Sequence, residues 1–368
     1  MNEAPAYRRI MSGEAGAWAV PVRAGLWLCS RAYGAIVQAR NRRYDAHPAR
    51  SRRLPVPVIS VGNITTGGTG KTPLVIELVR RLQCCGRRPA VVARGYGARP
   101  LQTSDELELV QRRGGTVITV ADPDRVAGGL KAVEQGADVV VLDDAFQHRR
   151  IHRDLDIVVI DATGPFGYGH LLPRGLLREP LGALARADLL VLSRTDAVPT
   201  ERITAIDATL RQYNTHAPII CSRHHPTHLA ALGGDRTNLE LLRDRKVLGL
   251  AAIGNPDAFF HTLAQQIGAN LVRCVRLPDH APYDDAIFHA LVITAERSPD
   301  AEYLVTTEKD LVKLDPELWS RFPRPIVAVA VDIDLTPDGD RILDAALFRL
   351  IAPGQNEGCD AQRPVPTD

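Results

Sequence analysis

The sequence predicts an α/β fold: a mostly parallel sheet with helices on both faces, and a second, smaller α/β domain after it. Short runs of β-branched and other apolar residues alternate with helical stretches along most of the 368 residues. The runs are continuously apolar rather than alternating, which indicates strands that are covered on both faces. The predicted strands are residues 56–61, 89–93, 139–142, 157–160, 189–192, 247–253, 271–275, 303–306 and 326–331.

Four segments are expected along the chain. Residues 1–54 form a basic, apolar N-terminal segment, and residues 55–240 form the core domain. The stretch 233–245 is polar and contains glycine, and a second αβ series follows it, so residues 241–352 are assigned to the second α/β domain. Residues 353–368 are expected to be a disordered tail.

The composition is that of an ordinary globular protein, with 45% hydrophobic and 24% charged residues. The formal net charge of +2 is too close to zero to indicate a nucleic-acid partner. The six cysteines show no metal-ligand spacing and no C-x-x-C motif, which favours a reducing cytosol. The composition leaves the oligomeric state open.

The N-terminal segment is strongly basic. Residues 1–54 contain ten arginines and only three acidic residues, and a basic arm of this kind suits an anionic membrane surface. The apolar stretch 15–39 is interrupted by Pro21, Arg23 and Arg31. We therefore expect neither a transmembrane span nor a cleaved signal peptide.

Two interpretations of this stretch stay open. A helix with one apolar face, and with Trp18 and Trp27 at the depth of the lipid head groups, would lie in the membrane interface. The same face would equally pack on the protein's own core. The residues that share this face at helical spacing are Val22, Leu26, Cys29, Tyr33, Ile36 and Val37.

The most informative motif is a glycine-rich loop between an apolar strand and an amphipathic helix predicted over residues 72–82. Glycines let backbone N–H groups point inward at a phosphate, and the positive end of the helix dipole adds to the attraction. Lys71 would reach the β- and γ-phosphates of ATP, and the Thr72 hydroxyl would ligate Mg²⁺. The predicted nucleotide-binding residues are Asn63, Thr65, Thr66, Gly67, Gly68, Thr69, Gly70, Lys71 and Thr72.

The loop departs from the strict phosphate-loop pattern at one position. Thr65 stands where the pattern has glycine, and Gly62 lies further upstream instead. The order of strand, three glycines, Gly-Lys-Thr and helix still predicts a P-loop NTPase-like core with ATP and Mg²⁺ as its cofactors.

A second apolar strand ends in two carboxylates, Asp143 and Asp144. In a parallel sheet they would lie beside the phosphate loop, at the carboxyl edge where the metal sits. One carboxylate would hold Mg²⁺ directly or through water, and the other would extend the site. Gln147 follows closely, and orienting a water molecule and supporting the loop are equally compatible with it.

Two other classes of protein stay open on these motifs alone. The segment 193–196 follows a strand in a way loosely like the guanine-reading loop of GTPases, with Asp196 as the acceptor for guanine. Ser193 in place of asparagine weakens this interpretation. The classes are a GTPase or metallochaperone, and a degenerate ATP-binding module without catalysis.

Further short blocks extend along most of the chain. They are residues 54–58, 62–63, 67–73, 94–97, 123–126, 143–150, 166–169, 171–173, 177–181, 254–256, 278–280 and 307–310. Through these blocks the chain resembles the tetraacyldisaccharide 4′-kinases, the lipid A 4′-kinase family, over roughly residues 54–335. In this family the unusual glycine placement is the expected pattern.

The resemblance implies a reaction and a location. The reaction is transfer of the γ-phosphoryl group of ATP to the 4′-hydroxyl of a tetraacylated disaccharide 1-phosphate, a precursor of lipid A. The expected location is the cytoplasmic face of the bacterial inner membrane, with peripheral attachment. The resemblance also implies two α/β domains that enclose a cleft.

The resemblance further implies roles for individual residues. The family uses an aspartate paired with a histidine as the base, and the counterparts here are Asp105 and His280. Arg178 would neutralise charge on the moving phosphoryl group, and Glu179 would add a carboxylate near the metal. Alternatively, Asp105 is a surface acid that opens a helix, and Arg178 and Glu179 form a surface ion pair. The expected catalytic residues are thus Asp105, His280, Lys71 and Arg178, and the expected metal ligands are Thr72, Asp143, Asp144 and Glu179.

Overall fold

The computed structural model describes residues 6–95, 105–279 and 281–351. Within these ranges twelve strands form one sheet. The strands are β1 (Val58–Gly62), β2 (Pro89–Ala93), β3 (Ile118–Ala121), β4 (Val139–Asp143), β5 (Leu155–Asp161), β6 (Leu189–Ser193), β7 (Ile219–Ala231), β8 (Arg236–Thr237), β9 (Lys246–Ala251), β10 (Asn270–Arg276), β11 (Tyr303–Thr307) and β12 (Ile326–Leu335).

Helices connect most of the strands. A π-helical turn, Thr262–Ile267, directly follows the seventh helix. The helices are α1 (Ala6–Ser12), α2 (Val20–Ala46), α3 (Lys71–Cys84), α4 (Asp105–Arg113), α5 (Arg125–Glu134), α6 (Thr200–Arg211), α7 (Pro256–His261), α8 (Asp285–Glu296), α9 (Glu308–Leu311), α10 (Pro316–Trp319) and α11 (Pro337–Ile351).

The strand order is β10-β9-β11-β12-β7-β6-β5-β1-β4-β2-β3, with β8 beside β7. All neighbouring strands are parallel except in two pairs: β7 is antiparallel to β12 and to β8. Strand β7 is parallel to its other neighbour, β6. Every residue of β1, β2, β4 and β5 is buried, because helices cover both faces of the sheet here. The predicted mostly parallel α/β fold is confirmed.

Strand β7 joins the two domains. Its first residues pair with β6 of the first domain, and the residues from Ser222 to Ala231 pair with β12 of the second. One sheet therefore runs through both domains, and the division predicted at residues 240 and 241 falls after the strand that they share. Helix α11, assigned from the sequence to the second domain, returns to the first: Leu343 and Leu347 belong to the same core as Leu74.

Helix α2 packs along one side of the first domain. Its buried residues Ser30, Gly34 and Val37 lie on one face. Ser30 Oγ donates to the carbonyl of Leu171 at 2.8 Å, and a Cβ on Gly34 would lie 2.8 Å from the Leu171 side chain. The opposite face is exposed. The buried face is not the predicted apolar one, because Val37 is buried while Val22 and Ile36 are 42% and 70% exposed. Packing on the protein's own core thus accounts for only part of the predicted face.

Candidate active site

The phosphate loop, residues 63–72, leads from β1 into α3. Gly67 (φ 110°) and Gly70 (φ 88°) have left-handed backbone conformations, which a side chain would strain. Helix α3 begins directly at Lys71, so the loop ends on N–H groups that have no partner within a helix. The loop therefore has the glycine conformations and the helix terminus that an anion cradle needs.

Side chains inside the loop hold its shape. Asn63 is buried, and its Nδ2 donates to Thr69 Oγ1 at 3.1 Å. Gln147 Nε2 donates to the Asn63 carbonyl at 2.9 Å, so the structure favours the supporting role for this glutamine. Ser193, at the end of β6, donates from its Oγ to the Thr69 carbonyl at 2.7 Å. Of the predicted nucleotide-binding residues, Asn63 and Thr69 thus brace the loop with their side chains.

A neighbouring segment carries Arg178 into the site. The amide of Thr66 donates to the Leu176 carbonyl at 2.8 Å, and the amide of Arg178 donates to the Ile64 carbonyl at 2.7 Å. These two bonds align the segment with the phosphate loop. The Arg178 guanidinium then reaches Asn63 Oδ1 at 3.2 Å.

The acidic strand end meets the loop as the sequence predicts. Strand β4 lies beside β1, with Asp143 in register with Val61. Asp144 Oδ1 lies 3.3 Å from Lys71 Nζ and 2.7 Å from Arg178 Nη1. Lys71, Arg178 and the acidic pair therefore converge at the end of the phosphate loop.

The two carboxylates differ in their electrostatics. Burial, with the charge of Glu106 adding to it, raises the pKa of Asp143 to about 7. Burial alone would also raise the pKa of Asp144, but Lys71 and Arg178 outweigh it and lower that pKa well below its usual value. Asp143 Oδ1 is buried and has no hydrogen-bond partner among the described residues. An unpaired buried carboxylate oxygen beside a hydroxyl-bearing phosphate loop fits a Mg²⁺ ion.

The described residues contain no group of three or more His, Cys, Asp or Glu side chains that could hold a metal. A Mg²⁺ site does not need such a group, because the ion usually takes one or two carboxylates and completes its shell with water and phosphate oxygens. Thr72, Asp143 and Asp144 would be its protein ligands.

Glu179 is not arranged as a metal ligand. It is fully buried, and its Oε1 accepts from Arg40 at 3.1 Å, while its Oε2 accepts from Asn41 and Arg186, each at 2.9 Å. The expectation of a metal role is therefore wrong in this structure, since three donors occupy both oxygens. The alternative of an ion pair between Arg178 and Glu179 is wrong too, because Arg178 pairs with Asp144 instead.

Two basic groups near the acidic pair were missed as site residues. Arg125 is 2% exposed, and it donates to the carbonyls of Asp122 at 2.8 Å and Asp143 at 3.1 Å. Burial, with Arg125 and Arg94 nearby, lowers the pKa of His148 to about 4, so its imidazole is neutral at pH 7. Both residues belong to blocks of the family resemblance, which was the one signal available for them.

Two lysines of the second domain form ion pairs with the two acids that begin α4. Lys313 Nζ lies 3.3 Å from Asp105 Oδ2, and Lys309 Nζ lies 3.1 Å from Glu106 Oε1. The Asp105 side chain is only 8% exposed, so the alternative of a surface acid is wrong, although the residue does begin a helix. His280, the expected partner, lies outside the described residues. Its neighbour Asp279 lies 3.9 Å from Lys309.

The carboxylate of Asp196 also has a hydrogen-bond partner within the protein. Gln266 of the second domain donates to its Oδ2 at 3.0 Å. A carboxylate that already accepts from the protein is less available to a guanine base. This contact speaks against the guanine-reading interpretation of residues 193–196.

A glycine-rich anion cradle, an unpaired acid beside it and two converging cations define a P-loop nucleotide-binding protein of the phosphoryl-transfer class. A family model described as tetraacyldisaccharide-1-P 4′-kinase matches residues 22–348. The chain belongs to this family.

Individual relatives agree with the family. The chain is 40% identical over 344 residues to the tetraacyldisaccharide 4′-kinase of Anaeromyxobacter dehalogenans (strain 2CP-C), which covers 88% of this chain and 89% of the relative. It is 35% identical over 365 residues to that of Geobacter sulfurreducens, covering 94% and 98%. The crystal structure of LpxK from Aquifex aeolicus in complex with ATP matches with a TM-score of 0.70 at 30% identity, covering 89% and 99%.

Proposed function

We propose that this protein transfers the γ-phosphoryl group of ATP to the 4′-hydroxyl of a tetraacylated disaccharide 1-phosphate, a step toward lipid A. The observation that carries the proposal is the convergence of Lys71 and Arg178 on Asp144 at the end of the phosphate loop. In a member of the 4′-kinase family this is where the terminal phosphate of ATP would meet an acceptor alcohol.

Each residue at the loop has a role that follows from its charge and place. Lys71 and Arg178 balance the negative charge that spreads over the phosphoryl oxygens during transfer. Thr72, Asp143 and Asp144 would hold Mg²⁺, which would supply charge neutralisation for the phosphates. Loop amides at Gly67, Gly68 and Gly70 donate to the phosphates.

Asp105 serves as the base that takes the proton of the sugar hydroxyl. Support comes from its burial, its ion pair with Lys313 and its place beside Glu106, whose charge acts on Asp143. The ion pair with Lys313 holds this carboxylate in place. His280 assists it, as the resemblance implies.

The exposed face of α2 attaches the protein to the cytoplasmic face of the inner membrane. No helix in the described part of the chain combines the length and the hydropathy that crossing a bilayer requires. Trp27, Leu28 and Ile36 of α2 are 49–70% exposed, and the excess of arginines over acidic residues in residues 1–54 suits anionic head groups. A helix of this kind lies along the interface.

The test is transfer itself. Purified protein is incubated with ATP, Mg²⁺ and the disaccharide 1-phosphate in detergent, and mass spectrometry detects a second phosphate on the lipid. Asp144→Asn should lower turnover about 100-fold or more, as loss of a preorganised charge does. Asp338→Asn is the matched control, since that side chain is 77% exposed on α11. A parent protein that binds ATP but leaves the lipid unmodified would refute the proposal.

A further inference from the structure

A loop of the second domain packs against the phosphate loop at Gly67 and Gly68. The loop lies between β9 and α7 and contains Gly254 and Asn255. A Cβ on Gly254 would overlap the amide nitrogen of Gly68 and would lie 2.8 Å from the carbonyl carbon of Gly67. Gly254 itself does not have a positive φ. The requirement for glycine therefore comes from the phosphate loop and not from the backbone conformation.

Asn255 makes two kinds of hydrogen bond. Its Oδ1 accepts from the amide of Ala258 at 3.2 Å and so caps α7. Its Nδ2 donates across the domain junction to Asp161 Oδ2 and Thr163 Oγ1, each at 3.2 Å. Capping uses only the side-chain oxygen. The two hydrogen bonds from the amide nitrogen therefore have a different role, which is to join the two domains.

Those bonds continue to the phosphate loop. Asp161, at the end of β5, forms an ion pair with Arg194, and the same guanidinium donates to the Gly68 carbonyl at 3.0 Å. Asp161, Arg194 and Asn255 are thus connected, and the connection ends on Gly68. Gly254 touches the same residue directly. The second domain therefore reaches one peptide of the phosphate loop by two routes.

Gly68 lies in the glycine-rich part of the phosphate loop. Gly67, Gly68 and Gly70 have no side chains to hold them, and ordering glycine costs more backbone entropy than ordering any other residue. A loop that is already ordered before ATP arrives binds its phosphates without that cost.

We propose that Asn255 is a positioning residue for ATP: together with Gly254, Asp161 and Arg194 it forms an interdomain latch that holds the phosphate loop in its binding conformation. The turnover part of the test rests on the proposed function. The binding part does not, because ATP binding is measured without any lipid acceptor.

The decisive variant is Asn255→Asp. Aspartate keeps the capping oxygen of α7 but cannot donate to Asp161. Asn238→Asp is the matched control, because Asn238 caps a short helical turn of the second domain through the same kind of bond, to the amide of Glu240 at 2.9 Å. We expect the dissociation constant for ATP to rise about tenfold in Asn255→Asp and to stay unchanged in Asn238→Asp.

A kinetic readout separates positioning from general damage. In Asn255→Asp the KM for ATP should rise, while the KM for the lipid acceptor and the melting temperature stay near the parent values. A change confined to the KM for the lipid would overturn the latch, since the effect would then lie at the acceptor side.

Gly254→Ala tests the direct contact and remains decisive if Asn255→Asp fails to fold. Its control is Gly233→Ala, because a Cβ on Gly233 meets nothing within 4 Å and the backbone there also has no positive φ. ATP affinity should fall in Gly254→Ala alone. Parent-like ATP affinity in both Asn255→Asp and Gly254→Ala refutes the latch. Failure of the parent protein to modify the lipid refutes only the proposed function, because the ATP comparison still stands.

Discussion

Asp105, the proposed base, illustrates how a carboxylate is held in place by an ion pair. Lys313 Nζ contacts both Asp105 and Asp310, each at 3.3 Å, so the cation is itself held in place. We expect Asp105→Asn to lower kcat by about 10²- to 10⁴-fold, the usual contribution of a positioned base. ATP affinity should stay near that of the parent, because the phosphate loop keeps its own hydrogen bonds. Steady-state kinetics and a nucleotide titration measure the two quantities.

The control for this variant lies on the same helix. Glu108 is a 36% exposed acid of α4 that pairs with Arg112, and Glu108→Gln should leave both kcat and ATP affinity unchanged. An Asp105→Asn protein with parent-like kcat would remove Asp105 from the role of base.

At the residue level, the sequence predicts which side chains lie together where the pattern is local. Lys71, Asp143 and Asp144 each follow a strand or a loop whose pattern fixes their place, and the structure brings them together. Glu179 follows Arg178 directly, yet its carboxylate turns the opposite way, toward α2. No local pattern reports that Arg40, 139 residues away, supplies its partner.

Helix α2 is the element through which we propose that the protein attaches to the membrane. Ser30, Gly34 and Val37 face the body, so substitutions on the exposed face should alter membrane binding without unfolding the protein. The double variant Trp27→Ser/Leu28→Ser should weaken binding to vesicles of anionic phospholipid roughly tenfold, because it removes two large apolar side chains from the interface. Sedimentation with vesicles measures the bound fraction.

A matched variant is available on another helix. Phe348→Ser changes a side chain of α11 that is 62% exposed and lies outside the basic segment. It should leave vesicle binding unchanged. Equal loss in both proteins, or no loss in either, would contradict attachment through α2.

Among the elements, three strands were missed from the sequence: β3, β7 and β8. Strands β3 and β8 are short, with four and two residues. Strand β7 contains Arg223, Pro226 and three histidines, and it changes partner from β6 to β12 along its length. A strand with polar residues and a proline does not resemble the apolar runs of a buried parallel strand. Each of the nine predicted strands, most of which are continuous apolar runs, is present.

At the scale of the molecule, ion pairs join the two domains across α4. Arg113, whose side chain is 4% exposed, pairs with Glu308 of α9 and Asp332 of β12. Arg113→Met would leave both carboxylates without this partner. We expect the free energy of unfolding to fall by about 3 kcal/mol, as it does when one member of a buried pair is removed. Urea denaturation measures the change.

Arg112→Met is the control for that experiment. Arg112 is the neighbouring residue and pairs with Glu108, but its side chain is 50% exposed. An exposed pair contributes about 0–1 kcal/mol, so its loss should have little effect. Similar values for the two variants would show that the cross-domain pairs do not stabilise the fold.

Strand β7 pairs with β6 through Cys221 and with β12 from Ser222 onward, so the two ladders meet end to end and do not overlap. A bend between these two residues would leave both ladders intact. The backbone at this point is therefore where the second domain could turn relative to the first. Such a turn would carry Gly254 and Asn255 toward or away from the phosphate loop.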